Sequence, residues 1–289
     1  MNSRAVTILA VGVLLTSCAG AQELQPSAPF SSTASPPAAA PNLDPVPVDD
    51  EPDSSGTMTV SYQDAQSPDA IAGRTLMQEN NLLEDLAEDI NQSLKLPYDI
   101  ALIGSQCDEA NAFWDPEQKS ITLCYEDAAL AQQVFTDAGD PDPDASALNS
   151  EYATFYHEVG HMAINVYDLP ATGREEDVAD QLAAFVLLSP GADGAPDPES
   201  VQAVKDFAYT FAASGAQHTD LDDEDFADPH SLDETRMFNL ECWIYGSDPE
   251  ANGDMLTQGQ LPQDRADGCP DEWDQLNRAW STLLEPYFK

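Results

Sequence analysis

The sequence predicts an α+β domain: a small antiparallel sheet packed on a mainly helical body, preceded by a disordered tether. Three observations carry this. Strand-like runs are confined to Tyr98–Ile103, 111–114 and 120–125. From there to residue 284, apolar residues recur at helical spacing. Residues 19–72 are rich in alanine, proline and serine and have no apolar period. Strands grouped first and helices after them is the α+β pattern.

The elements follow in chain order. Asn2–Arg4 give a weakly positive start, and Ala5–Ser17 form an apolar run of thirteen residues. That is too short to span a bilayer and fits the core of a secretory leader. Leu15-Thr16-Ser17-Cys18 resembles a lipobox, in which Cys18 is lipidated. The alternative is ordinary secretion with a stray cysteine. The expected organisation is a leader over 1–17, a lipid-anchored linker over 18–72 and one domain over 73–289. Within the domain, 73–94 reads as a helix with Leu76, Leu82, Leu83, Leu86 and Ile90 at core spacing. Asn111–Trp114 and Ser120–Tyr125 form a hairpin around Asp115-Pro116. Helices are expected at about 127–137, 149–167, 174–188, 199–213, 231–244 and 271–284.

Charge and cysteine usage narrow the function. Lysine and arginine number 10 against 53 acidic residues, a formal net charge of −43. Nucleic acid is excluded as a partner, because a phosphate backbone demands basic side chains. Anionic headgroups repel such a surface, so membrane contact is expected through the N-terminal lipid anchor only. Five cysteines less Cys18 leave Cys107, Cys124, Cys242 and Cys269. An even remainder in an exported chain suggests two disulfides, of which three connectivities are possible. Cys107 with Cys124 would staple the hairpin, and Cys242 with Cys269 would tie the C-terminal helices. No C-x-x-C spacing occurs, which argues against a cysteine zinc site.

The chemistry is concentrated in His157-Glu158-Val159-Gly160-His161, an H-E-x-x-H pattern. Four residues apart on a helix, His157 and His161 point the same way and can reach one tetrahedral zinc ion. Glu158 can lean over the same site as the base for a water nucleophile. Fifteen residues after His161 comes Glu176-Asp177-Val178-Ala179-Asp180. Glu176 is read as the third ligand, and Asp180, one turn on, as the partner of the far nitrogen of a ligand histidine. Glu175 is the rival ligand. Thr172-Gly173-Arg174-Glu175 matches a capping box, which gives Glu175 a local task and leaves Glu176 for the metal.

The stretch Tyr156–Phe185 (YHEVGHMAINVYDLPATGREEDVADQLAAF) resembles a bacterial metallopeptidase family otherwise described as a domain of unknown function. The stretches NAFWDPEQKSITLCYED (111–127) and HSLDETRMFNLECWIYGSDP (230–249) resemble it too, and the likeness extends over about 75–289. The E-x-x-A-D piece is similar to zincins whose third ligand is a glutamate, the gluzincins. The resemblance implies a zincin-like fold, His157, His161 and Glu176 as ligands, and Glu158 as catalytic base. It implies no substrate. By analogy with zincins, Ser120–Tyr125 would be the strand that binds extended substrate.

Further candidates are weaker. His230, in Asp228-Pro229-His230-Ser231, is a candidate donor to the oxyanion of a tetrahedral intermediate, or an exposed histidine near a helix start. Arg236 is expected to pair with a carboxylate rather than contact substrate. Tyr156 and Tyr245 are further possible donors. Asp140, Asp142, Asp144, Ser146 and Glu151 mimic calcium-loop positions, but Ala145 stands where the loop needs glycine, so an acidic loop before a helix is the better reading. The same holds for the acidic cluster at 220–228. The expectation is therefore a lipid-anchored, zinc-dependent peptidase acting on peptide or protein substrates in the bacterial cell envelope. The alternatives are a zinc-holding envelope lipoprotein without turnover and a surface module whose acidic coat matters more than its metal. The oligomeric state stays open.

Overall fold

The computed structural model describes residues 56–191, 194–216 and 221–289. The leader, Cys18 and the linker as far as residue 55 lie outside the described residues.

The domain is α+β, with β1 (Met58–Tyr62), β2 (Ile100–Ser105), β3 (Ala112–Asp115) and β4 (Ser120–Cys124) in one sheet of order β1-β2-β4-β3. The sheet is mixed, which corrects the antiparallel expectation. β1 pairs parallel with β2, and β2 with β4; only β3 and β4 run antiparallel. The reason is connection length. Between β1 and β2 the chain makes two helices, α1 (Pro68–Glu79) and α2 (Leu82–Ser93), which is long enough for a parallel crossover. Only the link from β3 to β4 is a tight turn, where Asp115 Oδ1 accepts hydrogen bonds from the Glu117 and Gln118 amides.

The linker boundary at residue 72 also moves. Gly56 already bridges to Leu96, and β1 follows at once. β1 alternates Met58, Val60 and Tyr62 with Thr59 and Ser61, the period of a half-buried strand, but over five residues only and directly after the Pro- and Ser-rich stretch. The helix expected over 73–94 is two. Asn81 breaks it with φ 54°, and α1 starts earlier, where Ser67 accepts from the Ala70 amide and Pro68 takes the first position.

The remaining helices are α3 (Tyr125–Ala138), α4 (Pro143–Val166), α5 (Glu175–Leu188), α6 (Pro198–Gly215), α7 (Asp223–Ala227), α8 (Asp233–Ser247), α9 (Asp254–Thr257), α10 (Gln263–Ala266) and α11 (Cys269–Leu284). α4 begins six residues before the expected 149, because Asp142 caps the Ala145 amide and Pro143 follows it. Asp142 is thus a helix cap and Asp140 accepts from its amide, which answers the calcium-loop resemblance.

α4 is the axis of the body. At 24 residues it runs about 36 Å and packs on α3, α5 and α6. Phe155, Val159 and Met162 enter the core from it, alongside Leu182 and Leu188 from α5. Full burial of each such side chain stabilises the fold by about 1.5–3 kcal/mol. Cys107 is bonded to Cys124 and Cys242 to Cys269, tying the loop after β2 to the end of β4 and α8 to α11. Among the described residues, no helix is long and apolar enough to cross a membrane.

Candidate metal centre

α4 and α5 together set the geometry. His157 and His161 sit one turn apart on α4, and their Nε2 atoms are 3.2 Å from each other. Glu176, in the first turn of α5, brings Oε2 to 3.2 Å from His157 Nε2 and 3.3 Å from His161 Nε2. Three ligand atoms thus form a nearly equilateral triangle. With zinc–ligand bonds of 2.0–2.1 Å, one face of a tetrahedron has edges of about 3.3–3.4 Å, so the donor set fits zinc in spacing as well as chemistry. Among the described residues this is the one group of three or more metal-ligating side chains that converges.

Each imidazole is aimed by a carboxylate behind it. Asp180 Oδ1 accepts from His157 Nδ1 at 2.8 Å, and Glu175 Oε1 from His161 Nδ1 at 2.9 Å. Both Nε2 lone pairs are thereby turned to the common point. The Glu175 contact corrects the capping-box argument. α5 is preceded by Arg174 as its N-cap, with no side-chain cap bond, so Thr172 and Glu175 form no capping box. The task of Glu175 is to hold His161. Nothing local in the sequence distinguishes the two uses of that carboxylate.

Arg236 of α8 closes the other side. It donates from Nε and Nη2 to the two oxygens of Asp180, at 2.8 and 2.6 Å, and its guanidinium lies 4.0 Å over the Phe211 ring. All three members of the Arg236–Asp180–His157 chain are buried. Burial alone would raise Asp180, yet Arg236 and His157 hold it down at about 2. Burial alone would lower His157, yet its bonds to Asp180 and Glu176 raise it to about 9. Glu176 is held far below the usual carboxylate range: burial opposes this, and the two histidines outweigh it.

Glu158 is 5% exposed and faces the same cleft. Burial pushes its pKa up, while the His157 and His161 rings and the Trp114 backbone N–H pull the other way. That N–H comes from β3, which the strand order places at one edge of the sheet. Cys124 N–H donates to the Asn111 carbonyl, so by alternation Ala112 and Trp114 turn their backbone groups outward. The expectation that Ser120–Tyr125 is the substrate strand is therefore wrong. β4 is paired on both sides and every residue in it is buried. Which strand ends a sheet is a non-local property that the hairpin pattern does not encode.

His230 lies in the loop before α8, with Nε2 3.2 Å from Glu176 Oε2 and Nδ1 2.9 Å from Asp228 Oδ1. Arg174 Nη1 donates to the Asp228 and His230 carbonyls and fastens that loop beside α5. Tyr156 is not at the site: its hydroxyl donates to Asp89 Oδ2 on α2. Tyr245 packs, partly buried, against the core. The cleft has a volume of about 870 Å³, and the cluster lies in its wall.

A family model described as "Putative metallopeptidase" matches residues 62–284. No curated protein and no solved structure matches the chain.

Proposed function

The chain belongs to that metallopeptidase family, and we propose that it is a zinc-dependent peptidase in which His157, His161 and Glu176 hold the metal and Glu158 is the general base. The observation that carries this reading is the triangle of Nε2, Nε2 and Oε2 atoms with edges of 3.2–3.3 Å. Bound there, zinc would supply Lewis acidity toward a water molecule and a peptide carbonyl.

The protein's own groups do the rest. Glu158 takes a proton from the attacking water on a carboxylate oxygen and returns it to the leaving amine. Its raised pKa favours holding that proton between the two transfers. His230, aimed by Asp228, offers an Nε2–H to the oxygen that becomes negative as the carbonyl turns tetrahedral. The outward carbonyls of Ala112 and Trp114 would pair with an extended peptide laid along β3.

The site of action we propose is the cell envelope, with the chain tethered through Cys18. The leader-like residues 1–17 and the two disulfides support export.

The test is a comparison of wild type with Glu158→Gln for bound zinc and for hydrolysis of an unstructured protein. The peptidase reading expects equal zinc in both and cleavage by wild type only. Equal zinc with no cleavage by either would favour a zinc-holding protein without turnover.

A further inference from the structure

Arg174 stands at the start of α5, where helix stability gives no reason for an arginine. It is the N-cap, its side chain makes no cap bond, and its carbonyl accepts from the Val178 amide. Serine, threonine, aspartate or asparagine suits that position, because a side-chain oxygen can accept from the free amides of the first turn. A guanidinium accepts nothing, and its charge meets the positive end of the helix dipole. Glu175 and Glu176, which could offset that charge, are engaged with the two metal-site histidines. Lysine and arginine number 10 in 289 residues, so one of few cations occupies an unfavourable place.

The guanidinium reaches across to the loop before α8 instead. A single nitrogen, Nη1, donates to the Asp228 carbonyl at 3.1 Å and to the His230 carbonyl at 2.7 Å. These two oxygens flank Pro229 and the His230 Cα, so one donor fixes the segment that carries the ring. Within the same turn, Asp228 Oδ1 accepts from the His230 amide at 2.8 Å and from His230 Nδ1 at 2.9 Å. The Asp228 carboxylate therefore sets the ring against its own turn, and Arg174 sets the turn against α5. Packing does little of this work, because the His230 side chain is 51% exposed. Arg174 precedes Glu176 by two residues, and His230 Nε2 lies 3.2 Å from Glu176 Oε2. One short segment of α5 thus supplies a metal ligand and holds the histidine that faces it.

We propose that Arg174 is a positioning residue for His230: through the Asp228 and His230 carbonyls it holds the imidazole where the oxyanion of the tetrahedral intermediate forms. Arg174 itself stays outside the cleft wall. The proposal rests on the reading of the cleft as a peptidase site with His230 as oxyanion donor.

The experiment measures binding, so that it does not depend on turnover. The probe is a phosphinic peptide, whose tetrahedral phosphorus carries its oxygens where the intermediate would. Its affinity for zinc-loaded protein is measured by calorimetry in wild type, Arg174→Ala, Arg174→Lys, His230→Ala and the double variant Arg174→Ala with His230→Ala. Zinc content is measured alongside and is expected to be equal in all five. Each alanine variant is expected to bind the phosphinate roughly tenfold or more weakly. The double variant is expected to bind no more weakly than His230→Ala alone, because the two residues act as one unit. Arg174→Lys is expected to keep most of the affinity, since one ammonium can donate to both carbonyls. A purely structural loss would add to that of His230→Ala and would not disappear in its background. Wild-type affinity in Arg174→Ala overturns the proposal, as do losses that multiply in the double variant. Turnover by wild type is scored separately. Losses that fail to multiply, without cleavage, keep the role of Arg174 and remove the peptidase reading; cleavage with losses that multiply does the reverse.

Discussion

Gly160 and Ala179 bring α4 and α5 together backbone to backbone: a Cβ added at Gly160 would lie 2.7 Å from the Ala179 Cα. Gly160 is the fourth residue of the H-E-x-x-H stretch, and Ala179 directly precedes Asp180. The absence of a side chain at this point is what lets Glu176 reach the two imidazoles. Gly160→Ala should push the helices apart by several tenths of an ångström, at a cost of about 1–3 kcal/mol. Zinc affinity should fall with stability. Thermal melts and zinc competition against a chromophoric chelator would check both.

Asp180 has two jobs, and they can be separated. Removing it by Asp180→Ala leaves Arg236 buried without a partner, which should cost about 3–5 kcal/mol. It also frees His157, which should weaken zinc binding by roughly 10–100-fold. The pair Asp180→Leu with Arg236→Met should recover most of the stability and none of the zinc affinity. Urea unfolding and zinc titration of the three proteins would decide this. Full recovery of zinc binding in the pair would deny Asp180 its role on His157.

Glu175→Ala should lower zinc affinity by roughly tenfold or more with little change in melting temperature. The Glu175 side chain is exposed over 58% of its surface, so its removal strands no buried charge. A capping residue would give the opposite pattern, a loss of stability with zinc binding intact.

The H-E-x-x-H face and the Glu176-to-Asp180 spacing could be read from the sequence because both are local: residues four apart on one helix meet whatever the rest of the chain does. The hairpin Ala112–Cys124 and most helices could be read for the same reason. Other features depend on distant chain. That β3 is an edge strand follows from where β1 and β2 settle, and the Met58–Val60–Tyr62 alternation is only five residues long and adjoins a Pro- and Ser-rich stretch that hides it. Asp142-Pro143 and Ser67-Pro68 open helices, yet with prolines before or after them they resemble loop. Glu175 reads as a capping residue because a capping-box match and a contact with His161 draw on the same carboxylate.

Glu241 makes a prediction about pH. Burial raises it from 4.5 to about 7, and its Oε2 has no hydrogen-bond partner. A carboxyl raised in the folded state binds its proton more tightly there than in the unfolded chain. Its contribution to stability is therefore present below pH 4.5 and is lost as pH rises to 7. Allowing for the solvent that reaches this half-buried group, the loss is roughly 1–2 kcal/mol. Glu241→Gln should flatten the fall in melting temperature between pH 5 and 8 and raise the value at pH 8. Parallel curves for the two proteins would exclude Glu241 as the cause.

The Cys242–Cys269 bond closes a separation of 27 residues and the Cys107–Cys124 bond one of 17. Loop-closure entropy assigns them about 3.6 and 3.1 kcal/mol. Reductant should lower the melting temperature markedly, and Cys242→Ala with Cys269→Ala should lower it more than the other pair does.

The most direct measurement is the zinc content of the purified domain, wild type beside Glu176→Ala, by mass spectrometry of the metal after dialysis. One zinc per chain in wild type, and little or none in the variant, is the result that two imidazoles and this carboxylate predict. A variant that keeps its zinc as tightly as wild type would contradict them.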